Sequence, residues 1–112
     1  METVFSLCDP NIEWIIVGPE SIPYAKTYKG IEGVQEFFST LFEVEEIKEF
    51  KPVEFLAGPN HVTVLGSESC VAKATGRSFS SEWSQILSVS NGKITRFLEY
   101  IDTAPMVIAY NS

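Results

Sequence analysis

Residues 80–103 read SSEWSQILSVSNGKITRFLEYIDT, and the interpretation of this stretch decides the fold. Two runs of strand character flank Ser90-Asn91-Gly92, a turn signal that suits a hairpin. The second run ends at Asp102, just before the small, proline-containing Thr103-Ala104-Pro105. Working back toward the N-terminus, Thr75-Gly76-Arg77 turns the chain between a run over 79–89 and one over 61–74. Gly58-Pro59-Asn60 supplies another turn, preceded by a long run over 44–57. Pro52 lacks an N–H, so that run must be an edge strand or carry a bulge. Successive runs joined by short turns predict an antiparallel meander.

The N-terminal half differs. Val4, Phe5 and Leu7 make residues 1–7 read as the tail of a helix that ends before Asp9-Pro10. Residues 11–17 read as a strand and 18–23 as a loop with two prolines. Gly30 opens a helix over about residues 31–42, because Val34, Phe37, Phe38 and Leu41 recur at helical spacing on one face. A helix followed by a bent sheet defines an α+β class.

At 112 residues the chain reads as a single domain, 1–112, without internal repeats or linkers. A chain of this size buries roughly two thirds of its unfolded surface, enough for one core. The eight phenylalanines either enrich that core or line a cavity. The formal charge of −7 and the scatter of the basic residues argue against nucleic acid and against an anionic membrane surface, both of which need clustered cations. No apolar run approaches the roughly 20 residues of a membrane helix. Cys8 and Cys70 form no CxxC pair, and the Met-Glu-Thr start is unlike a secretory signal, so a reducing cytoplasm is expected. His61 is the only histidine, at the exposed end of a loop, so no metal centre of ordinary composition is expected. A Ser-His-Asp triad would also need His61, and no G-x-S-x-G elbow presents a serine.

Alternation picks out candidate chemistry. Over 61–74, Val62, Val64, Gly66, Cys70, Ala72 and Ala74 share one face with Glu68, the single charged member. With the register kept, Glu68 faces the core and needs a partner or a raised pKa. The alternative is a bulge near Gly66 that turns Glu68 to water. On the last run, Ile94, Arg96, Leu98, Tyr100 and Asp102 share one face, and Phe97, Glu99 and Ile101 the other. Both faces are partly apolar, so both are expected to be covered, one by helices over a cavity and one by a second subunit. Tyr100 and Asp102 can reach a common space, where a tyrosine can donate to an oxyanion and a desolvated aspartate can act as acid or base. The alternative for Asp102 is a capping or turn carboxylate before a C-terminal tail. Phe97 and Ile101 are assigned to the subunit interface. Trp14, Tyr24, Tyr28 and Trp83 pair a large apolar face with one polar handle, which suits a pocket wall or a core.

The segments 11–14 (NIEW), 22–25 (IPYA), 28–30 (YKG), 33–38 (GVQEFF) and 97–103 (FLEYIDT) occur in an order and spacing that resembles the SnoaL-like proteins of the ketosteroid isomerase and nuclear transport factor 2-like superfamily. The resemblance covers about residues 4–108. It implies a cone, with a curved, mainly antiparallel sheet wrapped around helices and a deep apolar pocket, and a homodimer built through the sheet. Members include cyclases, epoxide hydrolases, isomerases, dehydratases and non-catalytic modules, so the fold alone does not fix a function. The resemblance places Trp14, Tyr28, Phe38, Trp83, Tyr100 and Asp102 at the pocket, with Asp102 matching the terminal-strand acid–base aspartate of catalytic members. Two departures stand out. Ser67-Glu68-Ser69 lacks the Arg and Asp pair of epoxide-hydrolase relatives. The N-terminal helix is expected to be truncated, with a wider mouth, an altered dimer or a misplaced start codon as the open readings.

The resulting expectation is a cytoplasmic homodimer, without a cofactor, whose apolar pocket takes a small hydrophobic molecule. If it is an enzyme, cofactor-free acid–base chemistry of isomerase, cyclase or hydrolase type would rest on Asp102, with Tyr100 in support and Glu68 as the further candidate. Trp14, Tyr28, Phe38 and Trp83 would contact the ligand. The alternative is a non-catalytic ligand-binding or dimerisation module.

Overall fold

The computed structural model describes residues 2–111. Helix α1 (Glu2–Leu7) leads into strand β1 (Cys8–Val17) and a short strand β2 (Thr27–Lys29). Helix α2 (Gly30–Val44) follows, then β3 (Glu45–Ala57), β4 (His61–Ala72), β5 (Arg77–Ser90), β6 (Lys93–Ile101) and helix α3 (Thr103–Tyr110). The six strands form one curved, unclosed sheet in the order β2-β1-β6-β5-β4-β3. Strands β4 to β6 are the expected antiparallel meander, β3 extends it antiparallel to β4, and β1 joins it parallel to β6. No helix among the described residues is long and apolar enough to cross a membrane.

Local chemistry accounts for most of these elements. Asn91 and Gly92 both take positive φ, 52° and 75°, as a tight two-residue hairpin turn with the sheet's twist requires. β3 is an edge strand, and its register with β4 shifts between Pro52 and Glu54, so Pro52 has both features its missing N–H predicts. The amphipathic face of α2 buries Val34, Phe37 and Leu41 against the sheet.

The core is organised on Trp14. Its ring stacks on Phe97 across the β1–β6 pair, with centroids 3.9 Å apart, and Phe37 and Phe38 of α2 lie over it at 5.5 and 5.8 Å. This contact decides which face of β6 is inside. The reading that turned Tyr100 and Asp102 inward and Phe97 and Ile101 toward a second subunit is overturned. Phe97 and Glu99 are buried on the helix-covered face, and Tyr100 is 49% exposed on the other.

The second correction is α3, at a place where the sequence suggested only a tail. Asp102 caps this helix, its Oδ1 accepting from the Ala104 N–H at 3.4 Å. Pro105 falls in the first turn, where its missing N–H leaves no helical bond unmade, so it fits a helix start rather than a stop.

Candidate functional site

A cavity of about 390 Å³ lies between α2, α1 and the inner face of the sheet. Its wall is mostly aromatic and aliphatic, with Trp14, Phe37, Phe38, Phe50 and Phe97 among the lining rings. Three carboxyl side chains interrupt this surface: Glu45 at the start of β3, Glu68 on β4 and Glu99 on β6. They are 2%, 8% and 6% exposed. Among the described residues, no lysine, arginine or histidine lines the cavity.

Each carboxyl has its own hydrogen-bond donors. Tyr24 Oη and Tyr110 Oη both donate to Glu45 Oε1, at 2.6 and 2.5 Å. The second oxygen, Glu45 Oε2, is buried without a partner. Cys70 Sγ donates to Glu68 Oε2 at 3.3 Å, and Gln85 Nε2 donates to Glu99 Oε2 at 2.7 Å. Sheet register places these donors. Cys70 follows Glu68 by two residues on the same face of β4, and Gln85 lies opposite Glu99 across the β5–β6 pair.

Burial sets the electrostatics, because removing a carboxylate from water disfavours its charge. Desolvation is the largest influence on Glu68 and lifts it to about 7, against the pull of the Cys70 hydrogen bond and with added repulsion from Glu45. Glu99 also rises to about 7, first through desolvation, with Gln85 opposing and with Glu68 and Glu45 adding repulsion. Glu45 is raised by burial, and the bonds from Tyr110 and Tyr24, with the nearby Cys70 thiol, pull it back. The Cys70 thiol and the Tyr24 and Tyr110 phenols are all pushed up, by burial first and then by the neighbouring acids. These three therefore remain protonated donors at neutral pH.

Glu45, Glu68 and Cys70 bring ligand-type atoms within 4.8 Å of one another. The set offers hard carboxylates and one soft sulfur but no imidazole.

The expected site residues separate. Glu68, Trp14 and Phe38 line the cavity. Glu68 points inward because the β4–β5 register runs without interruption past Gly66, and the bulge lies on β3 instead. Tyr28 is buried outside the cavity, behind Phe37, with its Oη donating to the Tyr24 carbonyl at 2.9 Å. Trp83 is also buried outside it, stacked on Phe50 with centroids 4.7 Å apart. Tyr100 and Asp102 are on the far side of the sheet and at the cap of α3, so neither reaches the cavity. Two cavity acids were not singled out from the sequence. Glu99 shares a face with Phe97 and Ile101, and pairing that face with Trp14 would have placed it inside. Glu45 sits at a helix–strand junction, where no periodicity points to burial.

The fold is that of the nuclear transport factor 2-like class. The chain belongs to the SnoaL-like domain family, whose profile matches residues 1–97. It is similar to an NTF2-like protein from Burkholderia xenovorans LB400, at 32% identity over 98% of this chain and 82% of that one, with a TM-score of 0.89. It is similar in fold to TerC, co-crystallised with polyporic acid, at 23% identity over 99% of this chain and 85% of that one, with a TM-score of 0.88. A proposed isomerase from Rhodopseudomonas palustris is 23% identical over 95% of this chain and 79% of that one, with a TM-score of 0.82. No curated protein matches the chain.

Proposed function

We propose that the cavity binds a small hydrophobic molecule and moves a proton on it without a cofactor, in a reaction of isomerase, cyclase or hydrolase type. One observation carries this reading: Glu68 and Glu99 line the same largely apolar cavity, where burial raises both to about 7. General acid–base catalysis works best with a pKa close to the operating pH, because the group can then both hold and release a proton. Glu99, held by Gln85, and Glu68, held by Cys70, are the proton-transferring pair. Glu45 and its two tyrosines form a third polar group at the same wall. The aromatic rings exclude water and give an apolar substrate its contact area.

The second reading, a non-catalytic binding module, is favoured by a specific observation. The terminal-strand Asp102, which the family resemblance nominates as acid or base, is a helix cap outside the cavity.

A panel of hydrophobic enolisable ketones in D₂O separates the two. Binding is read from Trp14 fluorescence and proton transfer from the loss of the α-proton NMR signal. Catalysis requires exchange that Glu99→Gln and Glu68→Gln each slow by about 10²–10⁴-fold. Binding without exchange selects the module. Absence of binding by the whole panel removes both.

A further inference from the structure

Strand β3 places its residues on two chemically different faces. Its partners on β4 give the assignment, because β4 runs against β5 without a register shift and its inner face carries Val62, Val64, Gly66, Glu68 and Cys70. Opposite these stand Ala57, Phe55, Pro52, Phe50 and Ile47, none of them charged. Opposite the outward residues of β4 stand Glu46, Glu49, Lys51, Glu54 and Leu56. Simple alternation could not produce this division, since it would turn Ile47 and Phe55 away from the side of Phe50. The register shifts between Ile47 and Glu49 and between Pro52 and Glu54 each insert one residue, and together they bring all three apolar side chains to the inner face. That face is apolar but not covered. Ile47 and Phe50 belong to the cavity wall, and with Leu7 of α1 and Phe42 of α2 they also meet solvent, so these four rim its mouth. Phe55 lies beyond the cavity and is 65% exposed, about 13 Å along the sheet from Phe50, since their partners Val64 and Glu68 are four residues apart. The row Phe55, Val64, Gln85, Glu99 crosses four strands on this face, and its last two members line the cavity.

From this geometry we infer that the inner face of β3 is a binding shelf continuous with the cavity, and that the ligand carries an extended apolar chain, an alkyl or acyl tail, which leaves the mouth over Phe50 and lies along β3 to Phe55. The inference rests on the proposed small-molecule cavity and names the class of its ligand.

Two other occupants fit the shelf less well. A protein partner needs about 800 Å² from each side. Phe50 and Phe55, 47% and 65% exposed, together offer about 200 Å² on the scale of 150–250 Å² for a whole aromatic side chain, and the rest of the rim leaves the total well short of that need. A strand added along the free edge of β3 would meet two bulges and Pro52, which break the ladder that such pairing requires. An alkyl chain needs neither the area nor the backbone hydrogen bonds. It gains from each methylene removed from water. A ligand confined to the cavity would leave Phe55 without a contact, although a register shift turns it to the cavity's side of the sheet.

The test is equilibrium dialysis of the full chain against phenyl alkyl ketones from acetophenone to dodecanophenone, which share one head and lengthen by methylenes. Affinity is expected to rise about fourfold per methylene while the tail fills the cavity, and about twofold per methylene once it lies on the one-sided shelf. Phe55→Thr keeps a strand-forming residue at an exposed position, so the fold should tolerate it. It should abolish the increments of the longest members, while acetophenone, too short to reach the shelf, binds as to the parent. Phe55→Leu should keep those increments. Ile108→Thr, which removes a similarly exposed apolar side chain from α3, should not alter the series. If acetophenone binds but the parent's increments stop where those of Phe55→Thr stop, the shelf is overturned and the cavity reading stands. If no member of the series binds, the cavity reading falls and the inference with it. A sedimenting mass that falls in Phe55→Thr would assign the face to a second copy and overturn the inference as well.

Discussion

Glu99 lies between Phe97 and Ile101 on β6, with Ile16 of β1 on one side and Gln85 of β5 on the other. Its single strong hydrogen bond does not offset the loss of water, so the folded protein holds its proton up to about pH 7, where an unfolded chain would release it near 4.5. Between those values the native state binds more protons than the unfolded one, and stability therefore falls as pH rises. The stabilising effect of the proton is complete below pH 4.5 and is lost as pH passes through 7. A shift of this size corresponds to about 3 kcal/mol. Glu99→Gln keeps the shape and removes the charge. Urea denaturation should show it gaining up to about 3 kcal/mol over the parent at pH 8, with the difference vanishing near pH 4.5. An unchanged difference across that range would mean that Glu99 is not titrating near neutrality. Glu68 should behave in the same direction, and its coupling to Glu45 and Glu99 makes the combined effect less than additive. Of the three acids, only Glu68 was legible in the sequence as inward, because every other residue on its face of β4 is small or apolar. Glu99 was hidden by a strand whose two faces are similarly mixed, and only a contact from a distant strand, Trp14 on Phe97, breaks that tie.

Strand β4 shows what the alternating pattern could and could not convey. It fixed the strand and its inner face, yet Gly66 read as a possible bulge. The structure gives Gly66 a different role. A Cβ there would lie 2.4 Å from the Trp83 ring and 2.6 Å from the Lys51 carbonyl oxygen, so the glycine is the space into which the indole packs. Trp83 in turn carries Phe50, which forms part of the cavity wall. Gly66→Ala must displace a backbone carbonyl as well as a ring and should destabilise the fold by about 1–3 kcal/mol. Denaturation of this variant beside Gly92→Ala separates packing from backbone strain, since Gly92 has φ of +75° and nothing within 4 Å of its would-be Cβ. An unaffected Gly66→Ala would mean the indole is not seated there. Helix α3 was illegible for a related reason. Pro105 marks either the end of a segment or the first turn of a helix, and only the Asp102 cap distinguishes them. α3 then matters to the site, because Tyr110 reaches Glu45 from it while Thr75 Oγ1 and Arg77 tie its end to the sheet.

The whole sheet has a second face that a single chain leaves open. Register places Ile15, Leu98 and Ile86 in one row across β1, β6 and β5, continued by Thr63 and Leu56. A neighbouring row carries Val17, Tyr100, Ser84 and Leu65. Val17, Leu56 and Tyr100 are 41%, 50% and 49% exposed, a contiguous apolar patch of the kind monomers seldom retain. We therefore propose a homodimer through this face, and the argument for it now differs from the one the sequence offered. Phe97 and Ile101 cannot be its contacts, because they line the cavity on the other side. A standard interface takes about 800 Å² from each partner, roughly one eighth of this chain's 6463 Å². Leu98 lies near the centre of the patch and points away from the cavity, so Leu98→Glu places a charge in the interface without touching the carboxyl site. Sedimentation of the parent at micromolar concentration should give twice the 12.5 kDa chain mass, and Leu98→Glu should shift it to the single-chain mass with cavity binding retained. A parent that sediments only at 12.5 kDa would show that the outer face is simply exposed sheet. Because the two faces are separate, that outcome would leave the acid-lined cavity and its chemistry unaltered.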